Sequence, residues 1–193
     1  MNEENGGLLV DFTAQLEELS KTELIELVQL YSKLFLAVDG FWYLAINAIV
    51  DEDTATACDF WVWEKYTPYE LKRLLPLRNI RGNDLEAFAT VLGFSPWFTN
   101  LKYRLTREGE NRLNFTVLEC PTLQALIREG AGRENTICHK VDLHLFQIMI
   151  QSLNPKGKAI PIKLPPDTSG DNICCRWQFS IEELGSYSSC SYC

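Results

Sequence analysis

From Ser20 to Ile49 apolar side chains recur at helical spacing without interruption, and this run constrains the fold more than any other stretch. Leu24, Leu27, Val28, Tyr31, Phe35, Val38, Trp42, Ala45 and Ile49 form one continuous stripe. Ser20 followed by Glu23 is a capping box that starts the helix. Phe41 and Tyr43 flank Trp42, so the aromatic surface wraps widely and the helix is expected to be buried on most sides. Further start signals follow. Thr67-Pro68 with Glu70, and Asn83 with Glu86, each resemble an N-cap with its reciprocal acid, and Gly93 suits a C-terminus. A helix is also expected over 55–65. Residues 20–95 therefore read as a helical region behind a flexible lead-in at 1–19.

The period changes near Pro96. "LKYRL" and "LNFTV" alternate apolar and polar residues around "TREGEN", which reads as a β-hairpin. A helix is expected from Thr122 to Glu129, closed by Gly130, and a second from about His139 to Leu153. "AIPIKL" reads as an edge strand, because Pro161 cannot donate to a ladder. In "ICCRWQFSI", Ile173, Cys175, Trp177, Phe179 and Ile181 share one face. The fold class is α+β: a helical N-terminal half followed by an antiparallel sheet with two helices, in the order β-β-α-α-β-β. Residues 96–183 are expected to pack on the helical region as one globular unit, with a flexible tail at 184–193.

Charge narrows the function. The 193 residues carry a formal net charge of -8, and no basic patch stands out, which argues against nucleic acid as a partner. No apolar run has the ~18–20 residues of a membrane span. "MNEENGG" lacks the basic and apolar regions of a signal peptide, so a cytoplasmic location is expected, where thiols stay reduced. The seven cysteines are then candidates for packing, ligation or reactivity.

Cys120 is the first of these. It precedes Pro121 and the helix after it, where unpaired amides and the helix dipole favour a thiolate. A small residue ending a strand explains it equally. Cys138 lies before the next helix and has the same argument more weakly; Asp142 falls in that helix's first turn. Cys175 faces the apolar side of its strand, and Cys174 the other. A zinc site from Cys120, Cys138 and Cys175 is the alternative to a metal-free site, although their spacing matches no local zinc motif. Cys190 and Cys193 have C-x-x-C spacing without a second half. His139 is a candidate ligand contact or a solvated residue, and His144 suits a core boundary. Asp39 stands on the shoulder of the apolar stripe near Trp42, where a carboxylate either lines a pocket or reaches water. Glu70 and Arg73 have the spacing of a surface ion pair.

"LFLAVDGFWYLAI", "YELKRL", "ECP", "ICHKVD" and "CCRWQFS" resemble a prokaryotic family of cytosolic proteins of unknown function. Over 115–180 that family is similar to L-2-amino-thiazoline-4-carboxylic acid hydrolase proteins, and more distantly to 4-vinyl reductase type ligand-binding domains. The resemblance marks Cys120 with Pro121, Cys138, Asp142 and Cys175, and Asp39 with Trp42. It departs at Asn47, where relatives are expected to carry an acid. A small-molecule site between the helical half and the sheet half is expected. In the leading expectation Cys120, Asp142 and Asp39 are catalytic, and Trp42, Cys138, Cys175 and His139 bind the ligand. The reaction is hydrolytic opening of a C–N or C=N bond by thiolate attack. The alternative is a non-catalytic sensor or carrier with a cysteine-based zinc site. A homodimer is left open.

Overall fold

The computed structural model describes residues 12–167 and 172–181. The C-x-x-C pair, Cys190 and Cys193, and the tail lie outside the described residues. Seven α-helices are described: α1 (Phe12–Glu17), α2 (Lys21–Ile49), α3 (Glu52–Leu77), α4 (Leu85–Phe94), α5 (Pro121–Glu129), α6 (Glu134–Thr136) and α7 (Asp142–Leu153). Four strands accompany them: β1 (Lys102–Arg107), β2 (Arg112–Glu119), β3 (Gly157–Lys163) and β4 (Cys175–Ile181). The sheet is antiparallel with order β1-β2-β4-β3, so the fold is α+β with a helical N-terminal half. β3, with Pro161, is an edge strand as expected.

Local chemistry accounts for most helix starts. Ser20 and Glu23 close the capping box of α2 reciprocally. Asp51 caps α3, accepting from the Thr54 N–H at 2.7 Å. α4 starts one residue later than the Asn83 reading: Asp84 is the cap and accepts from the Ala87 N–H at 2.8 Å. Glu86 is then free of a capping role and pairs with Arg107 at 3.0 Å. Gly130 closes α5 at φ 70°, where a residue without Cβ is unstrained.

Three expectations are corrected. Thr67-Pro68 does not start a helix; α3 runs through Pro68 and Pro76. A proline inside a helix removes one ladder bond and crowds the preceding turn. Here Thr67, Leu71 and Leu74 are all buried on the core side of α3, and that burial outweighs the break. As a result Glu70 turns inward and is buried, making neither a cap nor a pair with Arg73. Arg73 stacks on the Tyr69 ring instead, at 3.3 Å from its centroid. Second, Cys138 does not precede a helix. α6, a π-helical turn at Ile137–Val141 and α7 run on continuously, and Cys138 lies within that turn.

The third correction concerns α2. Only Ser32 and Tyr43 of this helix are buried. It packs through that one side on α3 and on a single 3-10 turn at Phe98–Asn100, where Thr99 Oγ1 donates to Ser32 Oγ at 2.9 Å and Asn100 donates to the Ser32 carbonyl at 3.1 Å. Of the apolar stripe, Phe35 turns in to meet the Tyr66 ring of α3 at 5.3 Å, whereas Val28, Tyr31, Val38 and Ile49 face outward and Trp42 is 67% exposed.

The core is aromatic and lies between the inner face of the sheet and α7, α3 and α4. Leu113, Phe115 and Val117 of β2 stand opposite Phe179, Trp177 and Cys175 of β4. Phe146 of α7 sits 4.8 Å from Trp177 and 5.2 Å from Phe179, ring centroid to centroid. Each such side chain stabilises the fold by roughly 1.5–3 kcal/mol through burial alone. This core anchors α7, and with it the chemistry at its start. Among the described residues, no helix is long and apolar enough to cross a membrane.

Candidate functional site

A cavity of ≈ 870 Å³ opens between α2, α3, α5 and the start of α7. Trp63, Trp97, Tyr43 and Leu145 supply its walls, and Trp63 meets Trp97 edge-on at 6.3 Å. Three aspartates reach it from three elements: Asp39 from α2, Asp59 from α3 and Asp142 from α7. Each sits where removal from water disfavours the charged form. Burial pushes Asp39 up to about 6. It pushes Asp59 up to about 7, with the Asp39 charge adding to it and Trp63 opposing. Asp142 also rises to about 7, first through burial and then through the Asp59 charge; the adjacent Cys138 thiol pulls the other way. The recess thus gathers three carboxyls that titrate near neutrality in an apolar-walled space.

Asp142 also borders a second space. A cavity of ≈ 20 Å³ lies beneath it, lined by Cys120, Cys138, Cys174, Cys175 and Trp177. The cysteines expected to approach one another do share this small cavity. Cys120 is the N-cap of α5, and its Sγ accepts from the Leu123 N–H at 3.3 Å. The expected amide contact is present, yet its expected consequence is not. Burial pushes the Cys120 thiol up to about 12; the Leu123 amide opposes this, and Asp142 reinforces it. The neutral N–H groups of Leu123 and Thr122 do not offset desolvation and a nearby carboxylate. Burial and Asp142 likewise push Cys138 and Cys175 far up. All three are held as thiols. Among the described residues, no three Cys, His, Asp or Glu side chains, Cys120, Cys138 and Cys175 included, are grouped so as to hold a metal ion.

Two other expected ligand contacts lie elsewhere. His139 is exposed, and its Nε2–H donates to the Pro165 carbonyl, which fixes it to the surface. Trp42 walls a separate groove of ≈ 450 Å³ between α2 and α3, together with Trp61; Asp39, Tyr43, Asp59 and Trp63 form the wall shared with the large cavity. His144 pairs with Glu64 at 3.1 Å and meets the Phe60 ring edge-on at 4.7 Å, a boundary position as expected.

Sequence reasoning missed Asp59, Trp63, Trp97 and Arg133. Asp59 carried the same signal as Asp39, an acid inside an aromatic helical run, "CDFWVW". Arg133 joins the rim through an ion pair with Glu129, and its guanidinium lies 5.0 Å from the Tyr43 ring centroid. Only the folded chain brings these residues to one place.

The model of a family described as "Family of unknown function (DUF6125)" matches residues 17–181. No curated protein and no solved structure matches the chain.

Proposed function

The chain belongs to this family of unknown function, DUF6125, and from the site itself we propose that the protein binds a small organic cation in the cavity between α2, α3, α5 and α7. The observation that carries the reading is the convergence of Asp39, Asp59 and Asp142 in one recess of ≈ 870 Å³ with indole and phenol walls. The volume falls within the range of about 300–1,000 Å³ usual for small-molecule sites. The lining also holds Lys33 and Arg133, the latter paired with Glu129, but neither acts on the three carboxyls, which burial makes unfavourable when ionised. An incoming ammonium or amidinium supplies the compensating charge. The indole rings of Trp63 and Trp97 attract the same cation and accept an apolar body attached to it, while the Tyr43 ring already carries the Arg133 guanidinium. An anion meets repulsion at the floor.

A matched pair of probes tests this. 2-Phenylethylamine and 3-phenylpropanoate share an aryl body and differ in charge sign. Titration followed by tryptophan fluorescence should show binding of the amine only. Asp59→Asn should weaken it by about 10- to 100-fold, which is ~1.4–2.8 kcal/mol. Equal binding of both probes, or an amine affinity untouched by Asp59→Asn in a folded variant, refutes the reading.

A catalytic version is favoured by the carboxyls titrating at about 6 to 7, where one can be protonated while its neighbour is ionised. Water adds across a cationic C=N group: the ionised aspartate takes a proton from water as its oxygen bonds to carbon. The protonated aspartate then gives its proton to nitrogen as the C–N bond breaks, and its carboxylate takes the proton of the new hydroxyl as the C=O forms, which leaves the amide; the proton held by the first aspartate goes to the departing ammonia. The nucleophile is water, since Cys120 is held as a thiol and lines the small cavity. Ammonia release from an arylamidine, abolished by Asp59→Asn and retained by Cys120→Ala, supports this version. Loss in Cys120→Ala with retention in Asp59→Asn returns the role to the thiol.

A further inference from the structure

Helix α2 carries a second periodicity on its solvent side. Leu24, Leu27, Tyr31, Leu34, Val38 and Phe41, followed by Ala45 and Ala48, alternate three and four residues apart. That is an unbroken 3.5-residue repeat, the seam of a helix that packs along its length on another helix. The side turned to the rest of the molecule is the opposite one, bearing Ser32, Leu36 and Tyr43. Along the seam Leu24 and Leu27 are half-buried, Val38 borders the α2–α3 groove and Phe41 the large cavity, but among the described residues no second helix packs along it. Tyr31 is 49% exposed, Leu34 51%, Val38 56% and Phe41 69%.

With the flanking Val28, Trp42 and Ile49 and the neighbouring Trp61 of α3, this face presents roughly 800 Å² of apolar surface, taking ~150–250 Å² for each full side chain. A monomer's largest patch is normally about 300–600 Å². Each partner of a standard interface contributes about 800 Å².

The seam is complementary to itself in one orientation. Laid antiparallel about its midpoint, it sets Leu24 against Ala48, Leu27 against Ala45, Tyr31 against Phe41 and Leu34 against Val38. Large side chains then meet small ones at both ends, and comparable ones meet in the middle. A parallel pairing sets Ala45 and Ala48 against their own copies and leaves that end underfilled. Antiparallel packing also places opposite ends of the two helix dipoles together. Charged residues do not interrupt: from Leu24 to Ala48 the helix has only Glu26, Lys33 and Asp39, all off the seam.

We propose that the protein is a homodimer in which the α2 seam of one copy packs antiparallel on the α2 seam of a second. Sedimentation equilibrium of the full chain at micromolar concentration should give twice 22.1 kDa. Leu34→Glu with Val38→Glu should leave the far-UV circular dichroism unchanged, because both positions face solvent in the single chain. It should weaken the dimer at least about a hundredfold, which is ~2.8 kcal/mol. A nitroxide at Thr22→Cys, with other accessible cysteines replaced, should report a separation of about 40 Å from its copy, given a 1.5 Å rise per residue. A wild-type chain that sediments as a monomer, a double variant that stays dimeric, or a label separation under about 20 Å overturns the proposal.

Discussion

Asp59, carried in on α3, stands close enough to Asp142 on α7 that its negative charge helps hold the Asp142 carboxyl up to about 7. The two residues lie far apart in the chain and meet only because α3 and α7 pack together. A third charge, on Asp39, raises Asp59 in turn. This coupling is stored repulsion, and it makes stability depend on pH in a definite direction.

The folded-state pKa values of Asp39, Asp59 and Asp142 lie above the ~3.9 of an unfolded aspartate. Between about pH 4 and pH 7 the native state thus holds more protons than the unfolded one, and these groups make stability fall as pH rises through that window. Asp142→Asn removes the penalty. Its melting temperature should exceed wild type at pH 8 by roughly 5 °C, for a gain of about 1–3 kcal/mol, with a much smaller difference near pH 4.5. Scanning calorimetry at the two pH values measures it. A variant less stable than wild type at pH 8 contradicts the assignment of buried, mutually repelling carboxyls.

Cys120 should be slow to react. A thiol pushed up to about 12 is almost wholly protonated at pH 8. Iodoacetamide labelling of Cys120 in the folded chain, read by peptide mass spectrometry, should be at least about a hundredfold slower than in the denatured chain. Cys120→Ser keeps an acceptor for the Leu123 N–H and should match wild type in stability within about 1 kcal/mol, whereas Cys120→Ala loses the cap and should cost about 1 kcal/mol. Labelling in the native state as fast as in denaturant would restore the reactive thiolate.

What the sequence made legible was what neighbouring residues decide among themselves. The Ser20–Glu23 box, the Gly130 terminus, the hairpin around Gly109 and the edge position implied by Pro161 all depend on a few adjacent residues. Even the placement of Cys120 at a helix mouth was legible. Its ionisation was not, because burial and Asp142 arrive from other elements. The Thr67-Pro68 signal misled for the same reason: burial of Thr67, Leu71 and Leu74 is set by distant partners. For α2, periodicity showed that one face is apolar, and it could not show what that face meets. Asp39 was singled out and Asp59 overlooked, although both are acids within aromatic helical runs; their meeting in one recess follows from the packing of α2 on α3.

The junction that carries α7 into the core leaves no room at Gly157. A methyl added there would lie 2.6 Å from Ile150 Cγ1 and 3.0 Å from the Asn154 carbonyl oxygen. Ile150 is fully buried and cannot retreat without disturbing the packing of α7 on the sheet. Gly157→Ala should destabilise the protein by about 1–3 kcal/mol in urea unfolding. A change below about 0.5 kcal/mol would mean that the α7–β3 junction is looser than its contacts require.

Binding of a cation should carry the titration of the recess with it. As pH rises through about 6 to 7, Asp39, Asp59 and Asp142 lose their protons. An ammonium ligand favours the ionised carboxyls, so it binds more tightly above this window and lowers their pKa values when bound. The amine of 2-phenylethylamine remains protonated throughout, so its own charge does not change. Its affinity should therefore rise about tenfold or more from pH 5 to pH 8, and its binding should release protons at pH 6.5, detectable by calorimetry in buffers of different ionisation enthalpy. Asp39→Asn should flatten the lower part of the profile, because it removes the group at about 6 and relieves Asp59 of a repelling neighbour. An affinity that is level across this range, or protons taken up instead of released, would show that the three carboxyls do not hold the ligand's charge.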